Sequence, residues 1–112
     1  MLTLCIRYTL DIRKIADFEA YVAKLPDHIA RAGGNLVGYY LPTKFAGPTN
    51  IALAMIEFES LAAYEAYRAR IAADPESAEN VRRAEETGCV MVEDRSVLRR
   101  YPPIESAGNG SV

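Results

Sequence analysis

The sequence predicts an α+β fold: a four-stranded antiparallel sheet with helices on one of its faces. Three observations carry the prediction. Residues 2–10 alternate apolar with other side chains, which is the period of a strand. Residues 15–32 and 61–71 repeat apolar side chains at three- and four-residue steps, which is the period of a helix. Gly33-Gly34, Gly47-Pro48 and Asp74-Pro75 punctuate the chain between such runs. The element order is then β-α-β-β-α-(α)-β.

Each element has its own signal. In the first strand Leu2, Leu4, Ile6, Tyr8 and Leu10 form one face, and Thr3, Cys5, Arg7 and Thr9 the other. Asp11 can cap the next element. Ile15, Phe18, Val22, Leu25, Ile29 and Ala32 keep one helical phase across Pro26, which predicts a single helix kinked at the proline. Gly33-Gly34 ends it, because glycine takes the left-handed cap without strain. Leu36 to Leu41 reads as the second strand, with Gly38 a bulge or a close approach. Residues 42–49 read as a loop, and its Gly-Pro signals make it the expected mobile internal segment.

Ile51 to Phe58 is nearly apolar throughout, which predicts a third strand buried on both faces. Ser60 can cap a helix whose stripe is Leu61, Tyr64, Tyr67 and Ile71. Asp74-Pro75 stops it and suits the start of another helix, running to about Glu86. Cys89 to Arg99 is the last strand. Alternation puts Val90, Val92 and Leu98 on one face, and Met91, Glu93, Arg95 and Val97 on the other. Pro102-Pro103 closes a domain over 1–103, and the small polar residues 104–112 are expected to be a disordered tail. This order of elements is the split βαβ, or ferredoxin-like, arrangement. The expected strand order is 4-1-3-2.

Composition narrows the function. A chain of 112 residues is one domain and can bury about two-thirds of its unfolded surface. A net charge of −2 argues against non-specific nucleic-acid binding, which needs clustered positive charge. No apolar run approaches the length of a membrane span, and the first residues read as a strand rather than a signal peptide. A cytoplasmic location is the expectation. Cys5 and Cys89 fall in different strands and read as reduced, small core residues. No Cys-x-x-Cys, zinc spacing, phosphate-cradling loop or Gly-x-Ser-x-Gly occurs, so no metal or cofactor is expected.

The helices cover one side of the sheet only. Ile51, Leu53 and Met55, with Met91 and Val97, make the other side too apolar for a solvent face. A homodimer with two sheets face to face, enclosing a barrel, is the expected remedy. Alternation places Arg7, Glu57, Glu93 and Arg95 on that same uncovered face. They form either a closed ion-pair network or the polar groups of a ligand pocket. His28, the one histidine, lies on the flank of the Leu25–Ile29 stripe and reads as a half-buried surface residue before a catalyst. Tyr39 and Tyr40 are adjacent in a strand, so one ring points to each side. Tyr64 and Tyr67 read as core, and Arg82-Arg83 with Glu85-Glu86 as a solvated helix face. The ligand-pocket candidates are therefore Arg7, Tyr39, Tyr40, Glu57, Arg95 and His28.

Several runs carry a family resemblance. They are Ile-Arg-Tyr-Thr-Leu at 6–10, Gly-Gly-x-Leu-x-Gly-Tyr-Tyr-Leu-Pro at 33–42, Thr-Asn-Ile-Ala at 49–52, Ser-Leu-Ala-Ala-Tyr-Glu-Ala-Tyr-Arg at 60–68, Ala-Asp-Pro-Glu at 73–76 and Glu-Asp-Arg-Ser at 93–96. Together they resemble a bacterial NIPSNAP-family protein over all but the tail. The resemblance implies a ferredoxin-like protomer and a dimeric α/β barrel. The wider barrel superfamily holds cofactor-free monooxygenases, muconolactone isomerase-like proteins and haem enzymes. The NIPSNAP branch has no settled activity, so no catalytic set carries over. In bacterial relatives the loop after Leu-Pro is often His-Glu-Gly-like; here it is Thr43-Lys44-Phe45-Ala46-Gly47-Pro48.

Three functions are expected in turn. The first is a small dimeric protein that binds an apolar or aromatic ligand. The second is a cofactor-independent monooxygenase- or isomerase-like enzyme on a small cyclic substrate. There Arg7, Arg95 or Tyr39 would orient an oxyanion, and His28 or Glu57 would move a proton. The third is a structural dimer with no ligand. A cavity of about a few hundred cubic ångströms with unpaired polar groups separates the first two from the third.

Overall fold

A computed structural model describes residues 1–103; the expected tail lies outside the described residues. The sheet holds β1 (Leu2–Leu10), β2 (Asn35–Tyr40), β3 (Ile51–Phe58) and β4 (Val90–Arg99). Its order is β2-β3-β1-β4, antiparallel throughout, as the sequence predicts. Helices α1 (Ile15–Val22), α2 (Leu25–Arg31), α3 (Leu61–Ala73) and α4 (Pro75–Thr87) form the second layer.

The caps anticipated from sequence are made. The Asp11 carboxylate accepts from the Arg13 amide, Ser60 from the Ala63 amide and Asp74 from the Glu76 amide. Pro75 then sits in the first turn of α4, where a missing N–H costs nothing. Gly33, at φ 90°, turns the chain after α2. A side chain at Gly34 would collide with Ile29 and Tyr67, so this glycine lets the end of α2 approach α3.

The core lies between the layers. Leu4, Ile6, Tyr8 and Leu10 from β1 and Ala52, Ala54, Ile56 and Phe58 from β3 are buried against Phe18, Leu25, Ile29 and Tyr67. The other face of β3 is not enclosed within the chain: Ile51, Leu53, Met55 and Glu57 are half-buried on it. That corrects the expectation of two buried faces. Cys5 shares this open face, opposite Met55, whereas Cys89 is fully buried.

Three further readings are corrected. The single kinked helix is two, α1 and α2, with a turn at Ala23-Lys24. Pro26 cannot donate within a continuous helix, and here it occupies the first turn of a new one. The apolar phase nevertheless persists, because Phe18, Leu25, Ile29 and Ala32 all reach the core. Leu61, placed on the α3 stripe from its spacing, is 55% exposed; the ring contacts of that stripe with Phe58 are made by Tyr64 and Tyr67.

The third correction concerns β4. Leu10 pairs with Val90 and Thr9 with Val92, so Met91 is an extra residue in a β-bulge. One extra residue exchanges the faces beyond it. Glu93, Arg95 and Val97 therefore stand opposite Tyr8, Ile6 and Leu4, on the helix side, while Val92 and Leu98 join the open face. Simple alternation assigns them the reverse way. A second irregularity between Leu36 and Gly38 supports the bulge read at Gly38.

Candidate functional site

The register builds one cavity floor. Tyr39 pairs with Ala54, Ala54 with Ile6, and Ile6 with Arg95, so these four residues form a row across all four strands. With strands about 4.8 Å apart, the backbones of Tyr39 and Arg95 stand about 14 Å apart at the ends of the row. Of this row Tyr39, Ile6 and Arg95 line the cavity, and Ala54 is buried in the core. Tyr8 rises beside this row, flanked by Ala52 and Glu93. The helices roof the space with Tyr21, Leu25, Ile29 and Tyr67, leaving a cavity of about 410 Å³. Ala72, Ala78 and Val81 are exposed at its rim, together with Arg68.

The polar groups are few. The Tyr8 and Tyr39 hydroxyls lie 3.2 Å apart in a shared hydrogen bond, which leaves the pair one hydrogen to donate elsewhere. Burial pushes the Tyr8 phenol well above its ordinary range, and the neighbouring Tyr39 adds to the effect. Burial also raises Tyr21 and Tyr39, and pushes Tyr67 up to about 12. All four rings are therefore neutral near pH 7, as donors and acceptors rather than phenolates.

Arg95, its side chain 39% exposed, is the cation at the open end of the floor. Its Nε donates to Glu93 at 2.7 Å. Burial works to lower its pKa, but the Glu93 hydrogen bond and charge outweigh that, so the guanidinium is held above its ordinary value. Glu93 itself faces a smaller adjoining cavity of about 280 Å³, which shares Tyr21 and Val81 with the first.

The structure thus divides the six sequence candidates among three places. Tyr39 and Arg95 line the cavity. Arg7, Glu57 and Tyr40 stand on the open sheet face, where Tyr40 is 51% exposed and lies over Gly38. Tyr39 and Tyr40 do point to opposite sides. Arg95 leaves the group it was expected to join, for the reason of the Met91 bulge. His28 is 4% exposed rather than half-buried, and it borders a separate groove between α2 and α4. Its Nε2 lies 4.0 Å from Glu76, and its Nδ1 has no hydrogen-bond partner among the described residues. That groove measures about 490 Å³, yet its rim charges are largely committed to each other, as in the Arg31–Asp74 pair at 2.8 Å. The smaller cavity, walled by four phenol rings, has the form of a ligand site.

A pocket was expected between two sheets; this cavity is a different one, between the sheet and the helices of one chain. Tyr8, Tyr21 and Tyr67 are the site residues that sequence reasoning did not assign. Tyr8 and Tyr67 were legible as core positions, but period alone does not distinguish a filled core from a hollow one.

Fold and cavity together define a ferredoxin-like α+β domain with an aromatic-walled pocket on its helix side. The chain belongs to the NIPSNAP family, whose model matches residues 3–103. A NIPSNAP family protein with unknown function from Agrobacterium tumefaciens is similar at 23% identity, with a TM-score of 0.77 over 94% of each chain. An uncharacterized NIPSNAP domain protein from Burkholderia xenovorans shows 18% identity and a TM-score of 0.78, covering 95% of this chain and 100% of its own. SnoaB, a cofactor-independent oxygenase from Streptomyces nogalater, shows 16% identity and a TM-score of 0.64 over 94% of this chain and 97% of its own. A search of the curated proteins found no match. At these identities the solved structures establish the fold.

Proposed function

We propose that this protein binds a small, flat, apolar or aromatic molecule in the cavity between sheet and helices. The observation that carries the reading is the space of about 410 Å³ walled by Tyr8, Tyr21, Tyr39 and Tyr67. Aromatic walls with few polar groups suit a planar ligand, whose ring can stack or meet edges. We place the protein as a homodimer, its open sheet faces meeting, and in the cytoplasm, where its free thiols Cys5 and Cys89 would stay reduced.

A second reading is favoured by the SnoaB likeness: an enzyme that oxygenates a small cyclic substrate without a cofactor. Binding is the better supported of the two. Among the described residues lining the cavity there is no carboxylate or histidine to take a proton, and its phenols are held neutral. His28 borders another groove, and Glu57 the opposite face.

The test is calorimetric titration of the protein with 2-naphthol. Saturable binding is expected, and Ala72→Phe or Ala78→Phe should abolish it while the fold persists, since both alanines are exposed at the rim. Binding that survives both substitutions would place the site elsewhere. Recovery of unchanged naphthol after aerobic incubation supports binding; an oxygenated product supports the second reading.

A further inference from the structure

We propose that the cavity is selective for a monoanion, an aromatic carboxylic acid whose carboxylate rests on the outer edge of Arg95. The inference rests on the cavity being a ligand site and names the class of ligand. It begins with a charge count. Arg68 and Arg95 both line the cavity, and no carboxylate does. Glu93 compensates Arg95 from the adjoining space. Arg68 has only a neutral partner, donating to the Tyr64 hydroxyl at 3.3 Å, and no ion pair among the described residues. One positive charge at the site is left without a counter-charge.

Donor geometry says where the anion goes. A guanidinium offers five N–H donors in a planar fork. Arg95 spends Nε on Glu93, and its two terminal amino groups have no hydrogen-bond partner among the described residues. An outer edge with two parallel donors matches the two oxygens of a carboxylate. Arg68, exposed at the rim, attracts the acid on its way in. At the other end of the row, the Tyr8–Tyr39 pair holds one hydrogen for a second oxygen. The ligand is then a flat ring system with a carboxylate at one end and a hydroxyl or carbonyl at the other. Glu93 sets the selectivity, because its carboxylate competes with the incoming one for the same cation.

Calorimetry of the full chain with 6-hydroxy-2-naphthoate and its neutral methyl ester tests this. The acid should bind about tenfold or more tightly than the ester, the scale of a charge-assisted pair. Arg95→Gln should erase that preference, with an unchanged far-ultraviolet circular dichroism spectrum showing that the variant is folded. Glu93→Gln should widen the preference. Equal binding of acid and ester, or a preference that survives Arg95→Gln, overturns the proposal and leaves the cavity reading standing. Failure of both compounds to bind overturns the cavity reading along with it.

Discussion

Burial fixes the charge state of the four cavity tyrosines before any ligand arrives. An ordinary phenol loses its proton near pH 10. Tyr67 holds its own to about 12, and Tyr8, Tyr21 and Tyr39 are raised as well, each chiefly by desolvation. Folded pKa values above the unfolded ones give a contribution that is whole below about pH 10 and lost as the pH rises beyond it. In that window the unfolded chain releases phenol protons that the folded chain retains, so stability falls. These tyrosines should therefore ionise together with unfolding. In an alkaline titration, their phenolate absorbance is expected to rise in the same transition that removes the helical circular dichroism. Ionisation of all four in a chain that keeps its helices would show that water already reaches them. A phenol this hard to ionise serves as a hydrogen-bond donor rather than a base, which favours the proposed binding over the proposed oxygenation.

Among the elements, the joint between α1 and α2 is the one that a single residue secures. Asn80, buried on α4, donates from Nδ2 to the Tyr21 carbonyl at 3.0 Å. That carbonyl belongs to the last turn of α1, next to the break that Pro26 imposes. Asn80→Ala removes the shorter of two bonds to that carbonyl and leaves it only the Lys24 amide at 3.4 Å, at a cost of about 1 kcal/mol. Urea denaturation should show that loss; a change within error would mean that the break is held by packing alone. Asn80 was not legible in the sequence, where it is a polar residue on a polar helix, and its partner is a backbone atom 59 positions away. The same limit applies to β4. Strand existence, pairing order and caps were readable because each rests on local period or local chemistry. Faces were readable on β1, which has no interruption, and not on β4, where Met91 adds one residue to the count. Nothing local marks that bulge; it exists because Leu10 and Thr9 pair with residues two apart. Arg95 could be named as a pocket residue from its type, but its correct pocket required the register.

At the scale of the whole molecule, the two faces of the sheet differ in what covers them. The protein is 19 Å across its thinnest axis, as expected for one helix layer on one sheet layer. The cavity lies between those layers, while Leu53, Met55, Tyr40, Val92 and Leu98 crowd the outer face. A two-fold axis through that face would bring each patch against its own copy, the commonest arrangement of soluble oligomers. Light scattering should then give a mass near twice the 12.4 kDa of the chain. Met55 sits between Cys5 and Gly38, with no charged neighbour directly opposite, so a lysine there adds a cation to each copy at the meeting surface. Met55→Lys should yield a monomer, since an unpaired buried charge costs several kcal/mol, and the lone chain can still extend the new ammonium into water. A wild-type protein that scatters as a single chain at micromolar concentration would refute the dimer. The same variant probes how the faces are related. The sheet residues described as lining the cavity point to the far side of the sheet from Met55. The Met55→Lys monomer should accordingly bind 2-naphthol as well as the parent does. If affinity disappeared with the dimer while the fold persisted, the second copy would have to order the sheet beneath the cavity, and the site would belong to the pair rather than to the chain.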